Sequence, residues 1–97
     1  MFIDSNNVNY YILRAEAFLN LKDFAASITN YKRVCIMLPD DDEHFSRLAH
    51  IYYLYGQQMQ EEENFLEALE AFSKAAEMKP DIPGYHLRRY ILKFLTV

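Results

Sequence analysis

The chain contains little of what marks a secreted, membrane-spanning or nucleic-acid-binding protein. Its single cysteine, Cys35, cannot form a disulfide within the chain, so nothing indicates secretion. No stretch approaches the roughly 20 apolar residues that a membrane span requires. Ten basic residues against 14 acidic ones leave a net charge of −4, which argues against a phosphate-binding face. The start Met1–Asp4 has neither a basic flank nor an apolar run, so we expect no signal peptide and a cytoplasmic protein.

Glycine and proline are also scarce, and this scarcity bears on the fold class. Two glycines and three prolines in 97 residues leave few interruptions, which favours long helices over many short strands. Hydrophobic residues make up 52% of the chain, which is enough for a packed core. These numbers predict a single all-α domain over residues 1–97.

Two of the prolines, Pro39 and Pro80, end segments that share one arrangement of residues. A large residue is followed by a small one four positions on and by another large one three positions later. A turn and a second helical stripe come next. The first segment gives Tyr11, Ala15, Phe18, Phe24, Ser27 and Tyr31, and the second gives Tyr52, Gly56, Met59, Phe65, Ala68 and Phe72.

This arrangement resembles the tetratricopeptide repeat, a helix–turn–helix unit that stacks into solenoids. The resemblance implies two repeats, over about 8–41 and 42–82. A last helix, over about 84–96, then caps the array or begins a third repeat. The periodicity predicts helices over about Val8–Asn20, Phe24–Leu38, Phe65–Met78 and Tyr85–Leu95, and a third helix that opens in Asp40–Glu43 and ends at about Gln60 or Glu61. Their expected caps are Asn6 or Asn7, Asp23, and Asp41 or Asp42.

The spacing of the two segments departs from the family. The prolines lie 80 − 39 = 41 residues apart, against about 34 in the usual repeat. The seven extra residues fall between Asp42 and Leu48 and correspond to about two helical turns. We therefore expect a third helix of about 18 residues whose buried face is not rotated. In the turn before Phe65 we expect Asn64 to adopt the left-handed conformation, where the family often has glycine.

The shared residues have a packing role in such a hairpin. Ala15 and Gly56, with Ser27 and Ala68 on the second helices, let the paired helices approach closely. Aromatic side chains fill the space beside them: Tyr11, Phe18, Phe24, Tyr31, Tyr52, Phe65 and Phe72. In the last helix Arg89 occupies the position of Ala15 and Gly56, which predicts a cap or a shifted helix.

The first helices of such repeats line a concave face. Its exposed residues are expected to be Asn9, Ile12, Glu16, Asn20, His50, Tyr53, Gln57, Gln60 and Glu61. This polar, mildly acidic and aromatic surface suits a partner segment with basic and apolar groups. A second expected contact is the basic set Arg88, Arg89 and Lys93, which suits an acidic protein surface, tubulin included.

The sequence offers no recognisable motif for catalysis, phosphate binding or metal binding. There is no glycine-rich phosphate loop, and no Cys–His or Ser–His pair lies in a motif. His44 and His50 are six residues apart, nearly opposite in helical phase, and Cys35 fits an apolar stripe as a small core residue. We therefore expect no enzyme, no cofactor and no metal.

The resemblance implies a non-catalytic protein–protein interaction scaffold. A closer similarity, carried by Leu13–Phe18, Tyr55–Gln57 and Phe65–Leu69, is to a family member associated with cilia and flagella, and it implies a structural adaptor on axonemal microtubules. The alternative is a co-chaperone or regulatory adaptor that binds short peptides in the concave groove. The apolar segment Tyr90–Leu95 has no following helix to cover it, so we expect it to fold inward as a cap, or to need a partner or further repeats.

Overall fold

The computed structural model describes residues 7–96, and in this range it contains five α-helices and no strand. The all-α, tetratricopeptide-like helical repeat fold predicted from the sequence is confirmed. The expectations for Met1–Asp4 and for Asn6 as a cap lie outside the described residues. The helices are α1 (Val8–Asn20), α2 (Phe24–Met37), α3 (Asp42–Glu61), α4 (Phe65–Met78) and α5 (Pro83–Leu95).

Polar side chains cap the first three helices. Asn7 Oδ1 accepts a hydrogen bond from the Asn9 N–H at 2.9 Å, and Asp23 Oδ1 accepts one from the Ala26 N–H at 3.2 Å. Asp41 Oδ1 accepts one from the third helix at 3.2 Å. Each cap satisfies a backbone donor that lacks a partner within the helix. The lengthened α3 has 20 residues, against 13 in α1 and 14 in α2.

The turns of the two hairpins share one geometry, and it differs from the prediction. The left-handed residues are Lys22 (φ 59°) and Glu63 (φ 61°), whereas Asn64 has φ −85°. The Asn64 N–H donates to Met59 O at 2.8 Å and the Glu63 N–H to Gln60 O at 3.0 Å. This is the Schellman pairing, which requires the left-handed residue directly after the helix cap. Asn64 lies one position too late for that role.

The start of α5 also differs from the prediction. The helix begins at Pro83 instead of Tyr85 and includes Gly84. Proline suits the first helical position because its φ is already helical and the missing N–H would have no partner there. Pro83 therefore opens α5 and does not lie in the loop before it.

The chain divides into two compact units, of which the first ends at Leu48 and the second begins at Ala49, within α3. In the first unit α1 packs against α2. Ala15 is fully buried, and Ser27 Oγ donates a hydrogen bond to its carbonyl oxygen at 2.9 Å. Ile28 and Val34 complete the buried side of α2. The small residues thus bring the two helices close enough for a side chain to bond the facing backbone.

In the second unit α4 packs against α5 and against the later part of α3. Gly56 faces the fully buried Phe72 so closely that an added Cβ would lie 2.7 Å from Phe72 Cε1. The core cluster consists of Met59, Ala68, Phe72 and Leu92. Leu66 is apolar but does not join this cluster, because its side chain is 69% exposed. It lies two residues from the buried Ala68, about 200° away around the helix.

The last helix has one buried side and one exposed side. Tyr85 and Leu92 are buried, and they lie seven residues apart on the same face. The apolar segment was expected to fold inward as a cap, or to need a partner or further repeats. Tyr90, Phe94 and Leu95 are exposed, so the segment is not an inward-facing cap throughout. None of the helices in residues 7–96 is long and apolar enough to cross a membrane.

Candidate protein-binding surface

The predicted surface of the first repeat lies along one side of α1. Asn9, Ile12, Glu16 and Asn20 recur at spacings of three and four residues, which places them on one helix face. Asn9 and Asn20 are exposed, whereas Ile12 and Glu16 are half-buried. Glu16 was predicted to be an exposed acidic contact, and its partners show otherwise.

Both carboxylate oxygens of Glu16 are occupied within the first unit. The Tyr31 hydroxyl donates to Oε1 at 3.0 Å, and Arg47 Nη2 donates to Oε2 at 3.2 Å. Burial, and then the hydrogen bond and charge of Glu16, raise the pKa of Tyr31 to about 12. The hydrogen bond that Arg47 donates to Glu16 raises the pKa of Arg47, although partial burial opposes it. The Tyr31 phenol therefore remains a hydrogen-bond donor at neutral pH. The charge of Glu16 is paired with that of Arg47, so Glu16 has a structural role within the first unit.

Arg47 was missed by the sequence reasoning, and it lies in the seven-residue extension of α3. His44, three residues earlier, also faces the first unit, with its ring centroid 6.0 Å from that of Tyr31 and its Nε2 3.7 Å from Asp41 Oδ2. The i, i+3, i+4 spacing of His44, Arg47 and the buried Leu48 was a signal that this part of α3 has a packed face. The extension therefore supplies side chains that pack within the first unit.

The predicted surface of the second repeat is partly used for packing. His50 is exposed, and its ring stacks on Tyr53 with centroids 6.2 Å apart. Tyr53 was predicted to be exposed, but it is half-buried, with its ring 5.5 Å from Phe72 and 5.1 Å from Tyr85. Burial, and then the proximity of Tyr53, raise the pKa of Tyr85. Tyr53 therefore links α3 to α4 and α5 and does not stand free for a partner.

Three other predicted residues converge on one cavity of the second unit. Gln57 and Gln60, predicted to be exposed but half-buried, line a cavity of about 330 Å³ together with the exposed Glu61 and with Arg88. Arg88 Nη1 donates a hydrogen bond to Gln60 Oε1 at 3.4 Å. We call this site the polar cavity. Its two amides, one carboxylate and one guanidinium offer donors and acceptors for a peptide backbone and for charged side chains of either sign.

The three basic residues of α5 do not form one patch. Arg88 lines the polar cavity, whereas the Nζ of the exposed Lys93 lies 5.9 Å from the ring centroid of Tyr90. Five residues along a helix correspond to a rotation of about 140°, so these two cations border different edges. Arg89 is half-buried, and its Nε is the one buried side-chain polar atom without a partner in the described part of the chain. The basic residues predicted to contact an acidic protein surface are therefore distributed over different sides of α5.

The residues predicted to pack the repeats lie at two levels of burial. The structure buries Ala15, Ser27, Tyr31, Tyr52, Gly56, Ala68 and Phe72, and half-buries Tyr11, Phe18, Phe24 and Phe65. Two half-buried rings are covered by cations, with Arg33 over Tyr11 at 5.7 Å and Arg14 over Phe18 at 5.6 Å. Such cations shield an aromatic edge from water while they remain solvated themselves.

No group of three or more potential metal ligands occurs among residues 7–96. Cys35 is half-buried on α2, and burial, followed by the charge of Asp41, raises the pKa of its thiol. A raised pKa keeps a thiol protonated and weakly nucleophilic.

Comparison with known proteins gives one consistent resemblance. The chain is similar to tetratricopeptide repeat protein 16 of Homo sapiens (40% identity), Macaca fascicularis (41%) and Mus musculus (34%), each over 91% of its length. It spans about a tenth of the length of these relatives, namely 10%, 10% and 12%. No protein-family model matches the chain, and no solved structure is significantly similar to it.

Proposed function

We propose, from its similarity to tetratricopeptide repeat protein 16 over 91% of its length, that this chain is a non-catalytic scaffold for protein–protein interaction. The observation that carries the proposal is the repetition of one hairpin at an offset of 41 residues. Lys22 and Glu63 have the same left-handed turn, and Ala15 and Gly56 have the same close helix approach. Stacked repeats of this kind create extended surfaces that bind other proteins.

We propose further that the scaffold is a structural adaptor in a larger assembly. In its most specific form, the proposal places the chain in the ciliary axoneme, with tubulin or axonemal proteins as partners. The location of the chain would then be the cytoplasm or the cilium. The support is the resemblance described from the sequence together with the surface cations Arg88 and Lys93, which suit an acidic protein surface.

Co-sedimentation with stabilised microtubules tests this adaptor role. The 97-residue chain should pellet with microtubules, and Arg88→Ala and Lys93→Ala should reduce the bound fraction. Lys32→Ala is the matched control, because Lys32 is an exposed lysine on α2 in the first unit. Absence from the microtubule pellet at low and at physiological ionic strength would eliminate the microtubule form of the proposal.

A second candidate function is the capture of short peptides, as in a co-chaperone or regulatory adaptor. The polar cavity favours it, because Gln57, Gln60, Glu61 and Arg88 surround a space of about 330 Å³. We expect a free peptide selected from a library to bind with micromolar affinity and to lose about tenfold on Gln57→Ala. The neighbouring Gln58→Ala is the matched control, since Gln58 does not line the cavity. Equal losses of peptide affinity for Gln57→Ala and Gln58→Ala would show that the polar cavity is not the peptide-binding site.

A further inference from the structure

The outer side of α5 carries an uncovered apolar stripe. Leu87, Tyr90, Ile91, Phe94 and Leu95, which we call the outer stripe, recur at i, i+3, i+4, i+7 and i+8 and therefore share one helix face. Phe94 is 82% exposed and Leu87 62%. The buried residues Tyr85 and Leu92 lie on the opposite face, so this helix is apolar on two sides.

Contiguous exposed apolar surface of this kind marks an interaction site in a folded chain. The other helices show how unusual the stripe is. In the described residues, α1, α2, α3 and α4 each expose a single large hydrophobic side chain: Leu13, Ile36, Phe45 and Leu66 respectively. Scattered single residues need no partner, whereas five on one face match the spacing of a helix-to-helix contact.

The charges around the outer stripe indicate the chemistry of its partner. Helix α5 contains Arg88, Arg89 and Lys93 and no acidic residue. Lys93 lies at the border of the stripe, with its Nζ 5.9 Å from the centroid of the Tyr90 ring. Near the end of the stripe the carboxylates of Glu63 and Glu67 line a cavity of about 430 Å³ with Leu95. An acidic group is therefore favoured beside Lys93 and disfavoured beyond Leu95.

A second copy of the chain does not fit this surface. Helix α5 contains no carboxylate, so two outer stripes packed on each other would bring no acidic group of α5 to the Lys93 of either copy. Like charges across an interface oppose association. No other helix in the described range combines an exposed apolar stripe with bordering carboxylates.

We propose that the outer stripe docks an amphipathic helix of a partner protein, whose apolar face is bordered by acidic residues on the side that meets Lys93. The mode is a helix laid along a helix, with apolar side chains spaced three and four residues apart in both partners. Phe94 is the central anchor, because exposed aromatic side chains contribute most when an interface covers them. The apolar stripe differs in chemistry from the polar cavity, and the proposal goes beyond the adaptor function proposed above.

The probe for the test is a synthetic helical peptide of about five turns, with leucines along one face and glutamates along its borders. A matched peptide carries lysine in place of every glutamate. Binding of each to the full 97-residue chain is measured by fluorescence anisotropy. We expect the glutamate peptide to bind about tenfold more tightly than the lysine peptide, and Lys93→Glu to remove that preference.

Variants of exposed residues locate the binding site. Phe94→Glu should weaken binding of the glutamate peptide by about tenfold or more. The helical circular dichroism of the chain should be unchanged, because the Phe94 side chain is 82% exposed and does not support the fold. Leu13→Glu is the matched control, an equally drastic change of a side chain that is 71% exposed on α1. Gln57→Ala should leave this affinity unaltered, which separates the test from that of the polar cavity.

Several results would overturn the proposal. They are no binding of the glutamate peptide, equal binding of the two peptides, and equal losses for Phe94→Glu and Leu13→Glu. Sedimentation equilibrium provides a further arm, because a dimer of the chain that Phe94→Glu dissociates would assign the stripe to self-association instead.

Discussion

Replacement of Gly56 by alanine tests the close approach of α3 and α4. Alanine has a helix propensity about 1 kcal/mol better than glycine, so a free helical site would gain stability. At Gly56 the new Cβ would lie 2.7, 2.8 and 3.0 Å from three ring atoms of Phe72, closer than carbon atoms tolerate. Phe72 is fully buried, and the close packing of protein interiors resists displacement of such a ring. Overpacking of a core costs about 1–3 kcal/mol, so the net change should be a loss of up to about 2 kcal/mol.

Gly84 is the control within the same chain. It lies in the first turn of α5, and an added Cβ there would meet nothing within 4 Å. Gly84→Ala should therefore be neutral or stabilising by up to about 1 kcal/mol, which separates the two variants by about 1–3 kcal/mol. Urea titration followed by circular dichroism at the helical band gives both free energies of unfolding.

A double-mutant cycle assigns any loss to the Phe72 ring. Phe72→Leu shortens the side chain that meets the new Cβ, so Gly56→Ala should cost less in that background than in the parent chain. The reasoning is refuted if Gly56→Ala is as stable as Gly84→Ala, or if its cost is the same with leucine at position 72.

Three further predictions follow from the turns and from the Glu16 cluster. Lys22→Gly and Glu63→Gly should each stabilise the chain by about 0.5–1 kcal/mol, because both residues have positive φ. Asn64→Gly should not stabilise it, because Asn64 has φ −85°. Thermal melts of the three variants measure these differences in stability. Arg47→Met should cost only about 0.2–1 kcal/mol, since the Arg47 and Glu16 side chains are 40% and 36% exposed, and the cost should shrink in high salt. The pKa of Tyr31 rises on folding from 10.0 to about 12, so its neutral form stabilises the folded state below pH 10 and that contribution is lost as the pH rises towards 12. Tyr31→Phe should therefore reduce the fall of the unfolding free energy between pH 10 and about 12. Urea titrations across this pH range measure that fall, and the same slope in the parent chain and the variant would contradict the assignment.

The helices were predictable from the sequence because their ends are set by local chemistry. Asn7 and Asp23 cap the helices that follow them, as their side chains and positions indicated. Pro39 ended α2 within two residues of the expected place. Pro83 was misread, because proline stops a helix from within and also begins one at its first position. The distinction depends on which backbone N–H groups have acceptors, and composition does not specify that.

The surface was less predictable, because helical periodicity assigns a residue to a face without identifying what covers it. Glu16 was placed on the correct side of α1, but its neutralisation depends on Arg47, which is 31 residues away in sequence. Tyr53 shares a face with Gln57, yet the rings of Phe72 and Tyr85 half-bury it. Such contacts depend on the axial register of one helix against another, and that register is set by packing of the whole unit.

Hydrogen exchange of the chain with and without a partner captured from cells tests the central claim, that a repeated helical hairpin serves as a docking surface. The account predicts that the partner slows exchange in the second unit, around Gln57–Glu61 or along α5 from Arg88 to Leu95, while the buried core near Ala15 is unchanged. An unchanged exchange pattern throughout residues 49–97 in the presence of a bound partner, or chemical turnover of that partner by the chain, would contradict it.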